Sequence, residues 1–306
     1  MVSGKVKFVQ YDITGRTTMD GAGVRLRRIF GSQRTVSITD PFLLMDSFGS
    51  DNPADYINGF PWHPHRGIET VTYQLDGRTD HEDSVGNKGT IYPGDVQWMT
   101  AGSGIFHQEM PHGLERRNPR FQDSLTGNPD SVTGFQLWIN IPADEKMKKP
   151  VYRGVTKKEI PVVKDDYGST VRVIAGKYLD AEGTLQLNRR IDPKYFDVSM
   201  QKESRFVNYI GEGYTTIVFL ISGKAYTEVD AELVPGHAYI LSRENDMVSI
   251  ETDEEPVRFI MIAGRPLNEE IAWYGPIVMN TQEQIEEALL DLQRGTFVRD
   301  REPVFL

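Results

Sequence analysis

Two short segments of the sequence place histidine and glutamate at alternating positions, which is the spacing that a metal site built on β-strands needs. His63 and His65 flank one proline, and His107 and Glu109 flank one glutamine. Successive side chains of a strand point to opposite faces, so residues i and i+2 share a face. Two such pairs on facing strands supply three imidazoles and one carboxylate to a single ion.

This set of ligands restricts the kind of metal and the kind of site. Imidazole is a borderline-soft ligand, so the set suits iron, manganese, nickel, copper or zinc better than magnesium or calcium. Four protein ligands on a metal that takes six leave positions for water, oxygen or a bidentate substrate, as metal-ion catalysis requires. The chain has no cysteine, which excludes thiolate sites, iron–sulfur clusters and cysteine nucleophiles. We therefore expect one divalent transition metal ion per chain.

The elements that must position these residues are short strands. Runs such as residues 70–75 and 215–221 are rich in β-branched and aromatic side chains and end at Asp-Gly or Ser-Gly pairs. The 28 glycines and 17 prolines recur along the whole chain, as expected for many short strands joined by turns. This pattern predicts β-sandwiches or β-barrels and excludes a helical bundle.

One segment near the end of the chain is helical in pattern. Thr281 can cap a helix over residues 282–293, and Gly295 follows directly after its end. Its apolar residues fall on one stripe, at Ile285, Ala288, Leu289 and Leu292. We expect a short C-terminal helix that packs on a sheet.

Charge and hydropathy exclude several classes of protein. The formal net charge of the chain is −10, and its basic runs are short, such as residues 146–149, so direct binding of nucleic acid is not expected. No run approaches 18 consecutive apolar residues, and the first residues lack the apolar core of a signal peptide. The expectation is a monomeric cytoplasmic protein without membrane contact.

The length of 306 residues predicts about two domains, and a linker is visible between them. Residues 143–150 are polar and charged and close with a proline, so their basic run is expected to be a solvated connector. We assign residues 1–142 to a metal-binding domain and residues 143–306 to a second domain. Residues 115–130 form a polar, turn-rich stretch that predicts a long surface loop in the first domain.

The two halves share turn dipeptides, which indicates an internal repeat. If Gly223 corresponds to Gly77 and Gly236 to Gly94, no histidine of the second half falls at a ligand position. The four corresponding residues are Tyr209, Gly211, Ser249 and Glu251. The second domain is therefore expected to keep the barrel and to lack metal ligands. Of the remaining histidines, the patterns favour a solvated loop residue at 81, a turn residue at 112 and a structural residue at 237.

Seven strings of the sequence resemble the pirin family, a branch of the cupin superfamily whose members carry two β-barrel domains in tandem. The strings are residues 40–46, 60–70, 94–102, 107–111, 136–140, 146–150 and 275–281. The resemblance implies an all-β fold, a bicupin of two cupin-type β-barrels with a short C-terminal helix. It also implies that His63, His65, His107 and Glu109 are iron ligands, with Fe²⁺ as the expected metal and manganese, nickel, copper or zinc as alternatives. Residues 115–130 are longer than the family pattern, which affects the expected shape of the pocket entrance.

Two carboxylates compete for the last ligand position. Generic cupins use a glutamate four residues after the His-x-His pair, and Glu69 holds that place on the ligand face by parity. Gly67 lies in between and can bend the strand so that Glu69 misses the metal. The pirin pattern takes its carboxylate from the second strand, so we favour Glu109.

The resemblance offers one enzymatic function and two alternatives. Some pirins show quercetin 2,3-dioxygenase activity, in which O₂ opens the ring of a flavonol and carbon monoxide is released. Glu109 would then be both ligand and catalytic base. Trp62, Trp98 and Phe106 would enclose a flat aromatic substrate, with ordinary core packing as the equal alternative for these three side chains. Other pirins look like iron-dependent, redox-sensing regulators that bind a transcription factor or a metabolic enzyme. A metal-stabilised barrel without turnover is the third reading.

Overall fold

The computed structural model describes residues 4–114, 128–185, 189–229 and 231–300. Strands dominate these ranges, and the predicted all-β class is confirmed. The α-helices of the described ranges are α1 (Val36–Thr39) and α2 (Gln282–Arg294). The loop predicted over residues 115–130 lies almost entirely outside the described residues. None of the helices in the described ranges combines the length and the apolar character that crossing a membrane requires.

Twenty-six strands are present in the described residues, most of them three to nine residues long. The strands up to residue 155 are β1 (Val9–Thr14), β2 (Arg16–Asp20), β3 (Val24–Phe30), β4 (Phe42–Ser50), β5 (Phe60–His65), β6 (Ile68–Asp76), β7 (Arg78–Asp83), β8 (Lys88–Ile91), β9 (Val96–Thr100), β10 (Ile105–His112), β11 (Val132–Asn140) and β12 (Val151–Val155). The later strands are β13 (Val162–Lys164), β14 (Ser169–Ala175), β15 (Lys177–Tyr178), β16 (Ala181–Glu182), β17 (Lys194–Met200), β18 (Arg205–Tyr209), β19 (Thr215–Ser222), β20 (Ala225–Thr227), β21 (Glu232–Leu233), β22 (His237–Leu241), β23 (Met247–Thr252), β24 (Val257–Gly264), β25 (Ala272–Tyr274) and β26 (Ile277–Met279).

The chain divides into two compact units, each built from more than one segment. The first, here called the histidine unit, consists of Arg16–Gln33, Phe42–Lys157 and the segment from Asn268 onward. The second, here called the companion unit, consists of the segment up to Gly15, Arg34–Pro41 and Lys158–Leu267. Each is a cupin-type β-barrel.

The two units repeat the same sheet composition. In the histidine unit a seven-stranded sheet runs in the order β12-β9-β6-β11-β4-β3-β2, and a four-stranded sheet runs β5-β10-β7-β8. In the companion unit the seven-stranded sheet runs β1-β22-β19-β24-β17-β14-β13, and the four-stranded sheet runs β18-β23-β20-β21. The strands are antiparallel throughout these two pairs of sheets, so the internal repeat indicated by the turn dipeptides is visible in the topology.

The units do not correspond to a single cut of the chain between residues 142 and 143. The first strand, β1, pairs with β22 and extends the companion sheet, whereas β12, which follows residue 142, pairs with β9 in the histidine unit. The segment that carries β25, β26 and α2 also belongs to the histidine unit. The reason is that a sheet edge leaves backbone hydrogen-bonding groups unpaired, and in each unit a strand from a distant part of the sequence satisfies them.

The C-terminal helix forms where the sequence predicts it. Thr281 caps α2 through a capping box with Gln284, and Gly295 adopts a left-handed conformation at φ 70° after the last turn. Ile285 and Ala288 are buried in a cluster with Ile277 and Met279 of β26. The helix therefore packs against β26 within the histidine unit.

Candidate metal centre

Three of the predicted ligands meet on two neighbouring strands. β5 and β10 are antiparallel neighbours in one sheet, and His63 lies directly opposite His107. The ring centroids of His63, His65 and His107 are separated by 4.3–4.9 Å. The ligand nitrogens of all three lie within 4.8 Å of one another. The sequence predicted facing strands, but adjacent strands bring the side chains together because directly opposed residues have the closest Cβ atoms.

Backbone carbonyls orient two of the three imidazoles. The Nδ1 of His63 donates to the carbonyl of Pro61 at 2.8 Å, and the Nδ1 of His65 donates to the carbonyl of Pro276 at 3.3 Å. A carbonyl only accepts, so both rings carry their proton on Nδ1 and present Nε2 as the ligand atom. Hydrogen bonding of the second nitrogen to a carbonyl is the usual outer support of a metal-binding histidine.

The third imidazole provides the test of whether a metal fits. His107 is buried, and neither of its ring nitrogens has a hydrogen-bond partner among the described residues. A buried polar group without a partner costs roughly 1–3 kcal/mol. An ion held by the three histidines would satisfy one of these nitrogens, so the residues present fit a metal.

Burial keeps these histidines in the form that binds metal. Desolvation lowers the pKa of His63, and it lowers the pKa values of His65 and His107 well below the ordinary value of 6.5. The neighbouring rings lower the last two further. Neutral imidazole is the ligand form, so no proton must leave before these three residues bind an ion near neutral pH.

Glu109 shares the interior face with His107 but is not part of the three-histidine group. Burial alternates along β10, and both residues are buried. The pairing with β5 shifts between them, so Glu109 lies opposite Phe60. Its Oε1 lies 2.8 Å from the hydroxyl of Thr72, and burial raises the pKa of Glu109 to about 7. Its assignment as the fourth ligand stays a prediction, in which the carboxylate turns from Thr72 to the ion.

Glu69 is engaged elsewhere. It accepts hydrogen bonds from Nε1 of Trp98 and from the hydroxyl of Thr100, both at 2.9 Å. Gly67, with φ 77°, separates β5 from β6, so His65 and Glu69 do not belong to one continuous strand. A Cβ on Gly67 would lie 2.0 Å from the carbonyl oxygen of Val278, so only glycine fits this bend.

A cavity of about 620 Å³ opens at the histidines. Its described lining includes His63, His65 and Glu109 together with the aromatic side chains of Trp138 and Trp273. The ring of Trp138 meets the ring of His65 edge-on, at 5.1 Å between centroids. The arrangement is typical of a site for a flat, apolar ligand with a few polar groups.

The aromatic wall differs from the predicted one. Trp62 is 47% exposed, Trp98 is buried against Glu69, and Phe106 packs on Phe297 with 5.6 Å between ring centroids. None of the three is among the described residues that line the cavity. Trp62 and Phe106 are strand neighbours of ligand histidines, so they point to the opposite face. The parity rule that selects the ligands would also have excluded these two neighbours from the cavity wall.

His81 is buried, contrary to the prediction of a solvated loop residue. It lies on β7 directly opposite Glu109, and its Nε2 is 2.8 Å from the hydroxyl of Tyr152. The two rings stack at 5.0 Å between centroids. Burial lowers the pKa of His81 to about 4. The surrounding Asp-x-Glu-Asp string suggested a loop, but the strand alternates buried and exposed positions.

This histidine makes a testable contribution to acid stability. The unfolded chain binds a proton at His81 below about pH 6.5, whereas the folded chain does so only near pH 4, so stability is lost as pH falls through this window. Replacement by glutamine keeps a partner for Tyr152 without titrating. Between pH 7.5 and pH 5, metal-free wild type is expected to lose about 2 kcal/mol more than His81→Gln does. Urea unfolding at both pH values measures this, and equal losses would contradict it.

Lys146 lies in the predicted linker but is completely buried, which corrects the interpretation of its basic run as a solvated connector. Its Nζ donates to the carbonyl of Gly67 at 2.7 Å, to Oδ1 of Asn140 at 2.5 Å and to the carbonyl of Val278 at 3.0 Å. All three protons of the ammonium group thus have acceptors. Lys146 ties the bend after β5 to β26, two elements that support His65.

Lys146→Met is expected to lower the free energy of unfolding by about 3 kcal/mol or more, because three buried acceptors lose their donor. The matched control is Lys148→Met, two residues further along the same basic run. The Lys148 side chain is 64% exposed and pairs with Glu145 at the surface, so its loss is expected to cost less than ~1 kcal/mol. Urea unfolding of both metal-free variants decides the matter, and equal effects would show that the buried contacts do not stabilise the fold.

The companion unit presents apolar side chains where the histidine unit presents ligands. On β18 and β23 the side that faces the core carries Phe206, Val248 and Ile250. The positions matched through the turn glycines lie on the other side: Tyr209 is exposed, and Ser249 accepts a hydrogen bond from Arg205. That correspondence is therefore off by one residue, which exchanges the two faces of a strand.

Comparison with known proteins agrees with this architecture. The family model named Pirin matches residues 23–139, and the model described as the pirin C-terminal cupin domain matches residues 195–298. A protein of Thermoplasma acidophilum that carries the provisional name quercetin 2,3-dioxygenase is 45% identical over 84% of this chain and 99% of its own length. The Pirin of Homo sapiens is 38% identical over 95% of this chain and 94% of its own length.

A solved structure shows the same fold. The crystal structure of a quercetin 2,3-dioxygenase from Acinetobacter baumannii superimposes with a TM-score of 0.84 at 35% identity, over 96% of this chain and 99% of that chain. The two matched family models, the duplicated sheet topology and the buried histidine cluster therefore support membership of the same family. The chain belongs to the pirin family, a family of two-domain cupins.

Proposed function

We propose that this protein is a metal-dependent dioxygenase of the quercetin 2,3-dioxygenase type, acting on flavonol-like aromatic compounds. The observation that carries the proposal is a cluster of three imidazoles, two of which, His63 and His65, line a cavity of about 620 Å³ together with Trp138 and Trp273. A purely structural metal site would be closed by its protein ligands. The names of the Thermoplasma and Acinetobacter relatives support the same activity.

The proposed ligands are His63, His65, His107 and Glu109, with iron as the metal. When bound, a redox-active metal supplies the Lewis-acid and electron-transfer chemistry that oxygenation of a flavonol needs. The protein contributes the orientation of the imidazoles, which the carbonyls of Pro61 and Pro276 maintain. It also contributes the apolar walls that exclude bulk water from the substrate.

Glu109 is the proposed catalytic base. In the metal-free protein burial raises the pKa of this carboxylate to about 7, so its environment favours uptake of a proton such as that of the flavonol hydroxyl. The hydroxyl of Thr72, 2.8 Å from Oε1, is the contact that the carboxylate leaves when it turns to the ion. In the overall reaction both atoms of O₂ enter the ring-opened ester, one ring carbon leaves as carbon monoxide, and the proton returns to the carboxyl group of the product.

The experiment combines metal analysis with an oxygen electrode. Protein purified without chelators is expected to contain close to one metal ion per chain and to consume oxygen when a flavonol is added, with release of an equal amount of carbon monoxide. Loss of both signals after chelation and their return with Fe²⁺ would support the proposal. Full metal content without flavonol-dependent uptake would contradict the enzymatic function.

A second candidate, an iron-dependent regulator, is favoured by one observation. Trp62 is 47% exposed on the strand that carries His63 and His65. A change between Fe²⁺ and Fe³⁺ alters the charge at the centre by one unit, and β5 would connect that change to a surface able to bind a partner protein. This candidate predicts metal binding without oxygen uptake, so the same experiment separates the two.

A further inference from the structure

A row of polar side chains crosses the floor of the cavity. Cross-strand pairing places Gln136 of β11 opposite Thr72 of β6 on one side and opposite Asp46 of β4 on the other. Asp46 in turn lies opposite Arg28 of β3. All four side chains line the cavity. The row therefore begins beside Glu109 and ends three strands away from β6.

Apolar side chains flank this row on both sides. Trp138 pairs with Leu44 in one neighbouring row, and Phe48 pairs with Leu26 in the other. These four residues also line the cavity. A ligand lying along the floor would meet polar groups along this row and apolar side chains on either side of it. That pattern fits an elongated aromatic molecule with a polar substituent at each end.

The far end of the row is a built polar site. Arg28 donates from Nε to Oδ1 of Asp46 at 3.0 Å and from Nη2 to Oδ2 at 2.9 Å. The same Nη2 donates to Asp20 at 2.7 Å. Asp46 is 4% exposed, and the guanidinium holds its carboxylate in one orientation. Each carboxylate oxygen of Asp46 retains a lone pair for one more donor.

The charge at this end selects among possible ligand groups. Two carboxylates, Asp20 and Asp46, share the single guanidinium of Arg28, so the cluster has an excess of one negative charge. A carboxylate or sulfonate on the ligand would be repelled there, whereas a phenolic hydroxyl can donate to Asp46. Two strand spacings of about 4.8 Å separate Thr72 from Asp46, or ~10 Å, a distance that a three-ring flavonol spans.

We propose that Asp46, held by Arg28, binds a hydroxyl group on the end of the aromatic substrate that lies away from the histidines. The cavity then selects neutral polyphenols over ring systems that lack this hydroxyl or carry an anionic group in its place. This inference rests on the proposed function, because it assumes that the other end of the substrate lies at the histidine centre. Gln136 and Thr72 connect the two ends through the 2.8 Å contact between the Thr72 hydroxyl and Oε1 of Gln136.

The test is equilibrium binding of three flavonols without oxygen, so that no turnover occurs. The metal-loaded protein is titrated with 3-hydroxyflavone, 3,4′-dihydroxyflavone and 3,7-dihydroxyflavone, and quenching of tryptophan fluorescence reports occupancy because Trp138 and Trp273 line the cavity. At least one dihydroxyflavone is expected to bind about tenfold more tightly than 3-hydroxyflavone, as a hydrogen bond to a charged group predicts. Replacing that hydroxyl by a carboxylate is expected to abolish the gain.

The variant Asp46→Asn is expected to reduce the tenfold preference, taken as the ratio of the two affinities in the same variant, to about threefold or less. The matched control is Asp197→Asn. Asp197 is equally buried and is held by Arg258 through the same two contacts, at 3.0 and 2.8 Å, but it belongs to the companion unit. The control is expected to keep the full preference.

Three outcomes would overturn the inference. Equal affinity of wild type for all three flavonols would refute the distal hydroxyl site and leave the proposed function intact. Equal loss of affinity for all three in Asp46→Asn would show that Asp46 only maintains the cavity. Binding of none of them would refute the proposed function and this inference with it.

Discussion

Replacing Glu109 by glutamine is expected to empty the metal site, whereas the same replacement of Glu69 is expected to leave the metal content near that of wild type. Glutamine keeps the size of the side chain and removes its charge. Glu109 lines the cavity with His63 and His65, and the hydroxyl of Thr72 contacts its carboxylate. The affinity for metal should fall by more than the ~10–100-fold that loss of an outer support costs, and flavonol-dependent oxygen uptake should disappear.

Glu69 is a matched control for this change, because both glutamates are 7% exposed and both are hydrogen-bonded. Its contacts with Trp98 and Thr100 lie away from the cavity, so Glu69→Gln should lower stability by about 1–3 kcal/mol and spare the metal. Metal content is measured on both variants after identical purification, beside wild type. An empty site in Glu69→Gln together with a full site in Glu109→Gln would establish the generic cupin arrangement in place of the one proposed.

The features that the sequence predicts correctly depend on local rules. The helix α2 follows from a capping residue, an apolar stripe and a terminal glycine within fifteen positions, and all three lie where expected. The clustering of His63, His65 and His107 follows from the two-residue period of a strand. Such rules need no knowledge of distant parts of the chain.

The features that the sequence does not predict depend on contacts between distant segments. The hydrogen-bond acceptors of the buried Lys146 belong to residues 67, 140 and 278. No local sequence pattern predicts that these three residues meet around one lysine. The support of His65 by the carbonyl of Pro276 joins residues that are 211 positions apart. The edge strand β1 pairs with β22 near the other end of the sequence, and β12 pairs back with β9 across the predicted linker, so the units could not be delimited by a single linker.

Strand register limited the prediction of the second domain in the same way. Matching turn glycines aligned Ser249 with His107. Ser249 faces away from the core of the companion unit, whereas His107 lies on the interior face of β10. A shift of one residue is invisible in a glycine pattern and reverses every side chain. The aromatic wall was misjudged for a related reason, since Trp138 and Trp273 come from strands without any ligand.

Replacing His107 by leucine is expected to abolish metal binding without destabilising the metal-free protein. Both ring nitrogens of His107 are buried and lack hydrogen-bond partners among the described residues, so the imidazole costs free energy when no ion is bound. Leucine has a similar volume and no polar atoms. The free energy of unfolding of metal-free His107→Leu should therefore equal or exceed that of metal-free wild type by up to roughly 1–3 kcal/mol.

Metal should reverse this order, because binding to the folded state alone stabilises it. Wild type at a free metal concentration 1,000 times the dissociation constant is expected to gain about 4 kcal/mol, and His107→Leu is expected to gain nothing. His112→Leu, on the same strand but paired with Asp80 at the surface, is the control and should gain as wild type does. Urea unfolding with and without Fe²⁺ under argon measures all three proteins.

If metal-free His107→Leu has no cooperative unfolding transition, the histidine cluster maintains the fold, and the site is structural. If the transition persists while oxygen uptake is lost, the apolar core stabilises the barrel, and the buried imidazoles serve to bind the metal.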